Sequence, residues 1–295
     1  MAAVARLDDW TGEDVTVSEI VRELGRLRQE SAVRSEGPDL RTSVMTHLAW
    51  VPEGWVGAAR ETLAGLAERH PSRTIILVPE PDADDGLHAE LSLQCFPLPD
   101  RHGNVCSEVI ELRLRGGRAR APASIVTPLL ITDLPAFLRW RGEPAFGGPE
   151  FGQLIAVVDR LVVDSQEWTN LPATYARLVE AFERTAVSDI AWGRTVRWRR
   201  ELALLWPAIA DVRQLEVTGP RADALLLAGW LRSRLERSVE LVHEEADRLE
   251  AVALDGEPLR RPRGEAPSSS DLLSEELEQF GRDRIYEGAV QATAD

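Results

Sequence analysis

The chain has 295 residues, 44% of them hydrophobic and 28% charged, which is the composition of a folded globular protein and excludes a disordered or fibrous one. A formal net charge of −15 argues against nucleic acid and against anionic membrane surfaces, since both reward a positive field. The longest apolar stretch, Ala224 to Leu231, falls far short of the ~20 residues a membrane helix needs, and no apolar leader opens the chain, so a soluble cytoplasmic protein is expected.

In chain order, residues 10–36 read as an acidic turn and then a helix. Thr16 and Glu19 supply the capping pattern, and Ile20, Leu24 and Leu27 recur at helical spacing. "SVMTHLAWV" reads as a strand and "GWVGAARETLAGLAERH" as a helix ended by Pro71. "RTIILVPEP", apolar throughout, has the character of a central strand. "AELSLQCFPL" and "CSEVIELRLRG" follow as strands joined by a turn. "ASIVTPLLITDLPAFLRWRGEP" is β-rich and cut by prolines, and "GQLIAVVDRLVVDS" is a helix running into a short buried strand. This alternation predicts an α/β fold of two domains: an N-terminal α/β sandwich-like layer over residues 1–165, and a more helical C-terminal α/β domain over residues 166–295. In the second, "LPATYARLVEAFERT" and "RADALLLAGWLRSRLER" read as helices and "VRQLEVTG" as a strand. "RSVELVHEE" and "DRLEAVALDG" have the alternation of a hairpin. A terminal helix from Asp271 places Leu273, Leu277 and Phe280 on one stripe.

The chain lacks G-x-S-x-G, G-x-G-x-x-G and H-E-x-x-H, and its five histidines are scattered. All 34 basic residues are arginine, which removes lysine chemistry and leaves planar forks suited to carboxylates, phosphates and aromatic faces. No catalytic residue, cofactor or metal is therefore expected. Asp164, at the end of a buried strand, is either a ligand-binding carboxylate or a structural ion-pair partner. Cys95 and Cys106 sit on adjacent strands and allow a disulfide if their Cα atoms come within ~7 Å; in the cytosol, two reduced buried thiols are favoured.

"DIAWGRTVRWRRELALLWP" (189–207) is the densest segment. On a helical wheel Trp198, Leu202 and Leu205 share an apolar arc continued by Trp206, Trp192, Ala203 and Val196. Arg194, Arg197, Arg200 and Glu201 lie opposite, with Arg197 and Glu201 spaced to pair. The tryptophans and arginines thus do not interleave as a base-stacking surface. Arg199 falls inside the arc, where a buried guanidinium requires a partner; a carboxylate of the same chain is expected.

This segment resembles the D-L-x-W-x-R-L-x-x-W-R-x-L-x-A signature of the glucose-6-phosphate dehydrogenase assembly protein family (OpcA), matched by Asp189, Trp192, Arg194, Trp198, Arg199 and Ala203. Three further blocks agree in order. Pro128, Leu129, Leu130, Asp133, Leu134, Pro135, Trp140, Gly142 and Pro144 match the first. Asp159, Arg160, Val163, Asp164 and Ser165 match the second, and Gly229, Trp230, Leu231, Ser233, Arg234 and Leu235 the third. The C-terminal segment is similar too. The resemblance implies a non-catalytic partner that binds glucose-6-phosphate dehydrogenase and promotes its active oligomer in the oxidative pentose phosphate pathway. It also implies a redox role for Cys95 and Cys106. Trp140 and Arg141, read as a Pro/Gly-rich loop, are expected to be better partner contacts than Trp198, with Arg194 and Arg197 beside them. The competing reading is a sensor or enzyme that binds a phosphorylated metabolite through Arg194 and Arg199, with Asp164 nearby.

Overall fold

The computed structural model describes residues 5–34, 39–40, 43–66, 69–97, 104–264, 267–279 and 281–294. The chain divides into two compact units, Met1–Leu161 and Val162–Asp295. The division falls before Asp164 and Ser165, whose hydrogen-bond partners Arg194 and Asp189 belong to the second unit.

The first unit contains β1 (Ala5–Gly12), α1 (Val17–Arg34), β2 (Asp39–Leu40), β3 (Met45–Trp50), α2 (Val56–Leu66) and β4 (Ser72–Glu80). It continues with β5 (Gly86–Pro97), β6 (Asn104–Arg115), α3 (Pro122–Val126), β7 (Ala136–Trp140) and α4 (Pro149–Ile155). The strands run in the order β1-β5-β6-β4-β3-β7, with β2 paired to β6. The β6-β4-β3-β7 part is parallel, and β5 and β1 extend it antiparallel. Strand β4 lies between β6 and β3 and buries Ile75 to Val78, as its unbroken apolar run requires. Helix α1 begins at a reciprocal capping box: Thr16 Oγ accepts from the Glu19 N–H at 3.2 Å, and Glu19 accepts from the Thr16 N–H at 2.8 Å.

Two ion pairs show how the helices layer on this sheet. Glu108 and Glu111 are three residues apart on β6, so they point to opposite faces. Arg28 of α1 reaches Glu108, with one contact of 2.8 Å, while Arg60 of α2 grips Glu111 at 2.6 and 2.9 Å. The two helices therefore cover opposite faces of one sheet. Strand β1 carries no signal beyond the acidic turn read at its end, and it forms by pairing along the edge of β5. The first half of the proline-cut segment is helical, as α3, because Pro122 sits in the first turn, where its missing N–H costs nothing.

Strand β8 (Arg160–Val163) carries the chain across the division. The second unit continues through α5 (Ala173–Val179), β9 (Ala186–Asp189), α6 (Ile190–Ala203), β10 (Gln214–Gly219) and α7 (Arg221–Leu235). It ends with β11 (Glu240–Glu245), β12 (Ala251–Leu254), β13 (Glu257–Pro258), α8 (Ser269–Leu277) and α9 (Arg284–Ala294). The expected β11–β12 hairpin does not form. Strand β10 lies between them, parallel to β11 and antiparallel to β12. The hairpin is β12–β13 instead, turned by Asp255 and Gly256 at φ 49° and 84°, the left-handed pair that an Asp-Gly turn favours.

Leu215, Val217 and Val252 of this sheet pack with Trp198 and Leu202 of α6 and with Leu227 and Leu231 of α7. Helices α7 and α9 cross closely at Gly229, where a Cβ would stand 2.2 Å from the carbonyl oxygen of Ala289. The C-terminal helix is two helices: α8 ends at Leu277, and Asp283 caps α9 by accepting from the N–H groups of Ile285 and Tyr286. Leu273 and Leu277 are buried, and Phe280 lies outside the described residues.

Candidate functional site

Helix α6 starts where a buried strand ends, and its first contacts are polar. Asp189 caps it, accepting from the Ala191 N–H at 2.9 Å; the same carboxylate accepts from the Ser165 N–H at 3.0 Å and from the Tyr286 hydroxyl at 3.4 Å. One turn on, Arg194 closes a two-pronged bond on Asp164 at 2.6 and 2.7 Å. Asp223, inside the first turn of α7, accepts from Gln166 at 3.2 Å through Oδ1, and its Oδ2 has no partner among the described residues. Tyr175 donates to Ser165 Oγ at 2.8 Å. Three carboxylates, two of them almost fully buried, are thus gathered around the Arg194 guanidinium.

The charge imbalance has a consequence for protonation. Burial pushes Asp189 up to about 6, and the neighbouring Asp164 charge adds to this. Burial pushes Asp223 up to about 7; Arg194 opposes this, while Asp164 and Asp189 reinforce it. A folded-state value above the unfolded one favours the fold while the group is protonated. Asp223 therefore contributes full stability below the unfolded value of 3.8, and that contribution is lost as pH rises to about 7. At about 1.4 kcal/mol per pH unit, Asp223→Asn is expected to remove about 2–3 kcal/mol of the wild-type loss between pH 5 and pH 8. Urea denaturation at the two pH values measures it, and an unchanged pH slope would contradict the assignment.

Among the described residues, Arg199 does not meet a carboxylate through a hydrogen bond. Its guanidinium lies 3.3 Å from the centre of the Trp192 ring and donates to Thr195 Oγ at 3.0 Å and to the Trp192 carbonyl at 3.2 Å. Burial lowers it to about 10, opposed by the more distant Asp283 and Glu276 charges. The expected pairing of Arg199 with an acid of its own chain is corrected on this point: Asp164 pairs with Arg194, and Arg199 is satisfied by an aromatic face and its own helix. Arg199 is partly buried there. Arg197 is exposed and points its guanidinium toward the Arg263 carbonyl at 3.5 Å.

The apolar arc is also shorter than the wheel predicts. Trp192, Trp198 and Leu202 are buried, but Val196 is exposed, and Leu204, Leu205 and Trp206 are 70%, 41% and 66% exposed. The helix stops at Ala203, ahead of Pro207, so Leu205 and Trp206 leave the arc. The result is a contiguous apolar sequence on the surface of an otherwise well-packed unit.

In the first unit, Trp140 is core. It ends β7 in register with Trp50 of β3, stacks on that ring at 5.0 Å and meets Phe151 edge-on at 5.4 Å. The loop expected at Trp140 begins one residue later, where Arg141 lies 5.0 Å from the centre of the Trp55 ring. Cys95 and Cys106 are directly opposed on β5 and β6 with Cα atoms 4.1 Å apart, and they form a disulfide rather than the favoured pair of thiols. For an 11-residue separation, reduction is expected to destabilise the first unit by about 2–3 kcal/mol through restored chain entropy. Denaturation with and without a thiol reductant measures it.

Fold and site together define a two-unit α/β protein whose second unit is organised by an acid–arginine cluster under a capped helix. A family model described as the N-terminal domain of a glucose-6-phosphate dehydrogenase subunit matches residues 64–180, and a second, described as the C-terminal domain of such a subunit, matches residues 185–267. The chain belongs to the OpcA family of glucose-6-phosphate dehydrogenase assembly proteins. Relatives named as OxPP cycle protein OpcA include one from Synechocystis sp., 28% identical over 58% of this chain and 38% of the relative. The protein of Nostoc punctiforme is 30% identical over 58% and 39%, and that of Synechococcus elongatus 26% over 67% and 50%. The chain thus matches half or less of the length of these relatives. Among the described residues, no helix is long and apolar enough to cross a membrane.

Proposed function

We propose that this chain binds glucose-6-phosphate dehydrogenase and promotes its active oligomer, without catalysis of its own, at the entry to the oxidative pentose phosphate pathway in the cytoplasm. The observation that carries this reading is the exposed Leu204-Leu205-Trp206 sequence, which directly follows the block of family signature residues. Tryptophan in an exposed apolar patch is the residue type that anchors protein interfaces. The buried positions of Trp140 and Trp198 leave Trp206 as the stronger contact, with Arg197 and Arg200 exposed on the helix that precedes it. Mixing the purified dehydrogenase with this chain is expected to raise its rate or its sugar-phosphate affinity. Unchanged kinetics at saturating chain would overturn the proposal. A redox role for Cys95 and Cys106 is tested in the same assay: if the bond controls activation, Cys95→Ser abolishes the difference between oxidised and reduced protein.

A further inference from the structure

A pocket of about 490 Å³ opens in the second unit, within the size range of small-molecule sites. Its lining includes Gln166 and Asp223, the Trp198 ring and Leu272. Asp223 is 1% exposed, and its Oδ2 has no hydrogen-bond partner among the described residues. Such a group is costly to bury unless something meets it. The rim has the opposite character. Arg197 and Arg261 line the pocket, and both also line an adjoining hollow with Arg200, Arg260 and Arg263. In a chain of net charge −15 this is a local excess of arginine; Asp247 also lines the pocket, and Arg261 is exposed.

We propose that this pocket binds a phosphorylated polyol, its phosphate on the arginine rim and a hydroxyl on Asp223 Oδ2. The chemistry divides by depth. Planar guanidinium forks match phosphate oxygens. The Asp223–Gln166 pair offers an acceptor that a hydroxyl can satisfy, and Leu249 and Leu272 supply apolar wall. Arg194 takes no direct part, since Asp164 occupies its fork; its charge favours the ionised form of Asp223. The site differs from one built on Arg194 and Arg199, because Arg199 lies over the Trp192 ring and does not line this pocket. The inference does not depend on which protein the chain binds.

Calorimetric titration of the full chain with glucose 6-phosphate, glucose and inorganic phosphate tests it. Glucose 6-phosphate is expected to bind at least tenfold more tightly than either fragment. Arg261→Ala, on the exposed rim, is expected to weaken glucose 6-phosphate and phosphate together by about tenfold, and Asp223→Asn to weaken only glucose 6-phosphate. Phosphate binding as tightly as the sugar phosphate, no binding of the sugar phosphate, or binding that survives Arg261→Ala unchanged would each overturn the proposal. The exposed Arg261 keeps the test decisive if the Asp223 variant folds poorly.

Discussion

Arg194→Met is expected to destabilise the second unit by about 3–5 kcal/mol at pH 8, the usual cost of removing one partner from a buried, hydrogen-bonded pair. The guanidinium side chain is 24% exposed and Asp164 is 8% exposed, so solvent cannot replace the lost bond cheaply. The effect exceeds that of one ion pair because Asp189 and Asp223 share the same cation electrostatically. Its pH dependence is distinctive. Near pH 4 Asp189 and Asp223 are largely protonated, and the variant is expected to lose much less. As pH rises through about 6 and 7, where Asp189 and Asp223 ionise in the wild type, the missing cation costs most, and the loss is greatest. Chemical denaturation of wild type and variant at the two pH values gives the difference directly. An equal loss at both would mean that Arg194 acts by packing alone.

Trp206→Ala is expected to have the reverse profile. Its ring is 66% exposed, so truncation should change stability by no more than about 0.5 kcal/mol. If the patch docks the dehydrogenase, truncating its aromatic anchor is expected to cost about 2–4 kcal/mol of binding, a loss of about 30- to 1,000-fold. Leu204→Ser, 70% exposed, should add to it. A binding isotherm for the variant that overlays the wild type would move the docking surface elsewhere on the chain.

Some of this fold is legible in the sequence, and the rest is hidden for identifiable reasons. The parallel centre is readable because a strand buried on both faces must be apolar throughout, as β4 is. The α1 start is readable because capping is local, needing only Thr16 and Glu19. Strand order is not local. Nothing in "VELVHEE" or "LEAVALDG" announces that β10 will lie between them, and the stronger hairpin signal, Asp255-Gly256, lies within the segment read as their second strand.

At the site, the wheel places Trp192, Trp198 and Leu202 inward, but it treats the helix as continuing to Pro207. A proline disfavours helix in the residue before it, and that signal is present for Trp206. The wheel also places Arg194 outside, because it ranks residues by type and cannot see a carboxylate arriving from the end of β8. Asp223 escapes a sequence reading for the same reason. A lone acid in the apolar run "ADALLLAGW" is the available clue, since an acid there must be paired, protonated or waiting for a ligand.

We propose above that this chain drives assembly of glucose-6-phosphate dehydrogenase. Sedimentation velocity of the dehydrogenase alone, with the chain, and with Trp206→Ala tests it most directly. The wild-type chain is expected to co-sediment with the dehydrogenase and shift it to a larger, active oligomer, and the variant to do so only at much higher concentration. A dehydrogenase that sediments identically with and without the wild-type chain, at concentrations where both are folded, would contradict it.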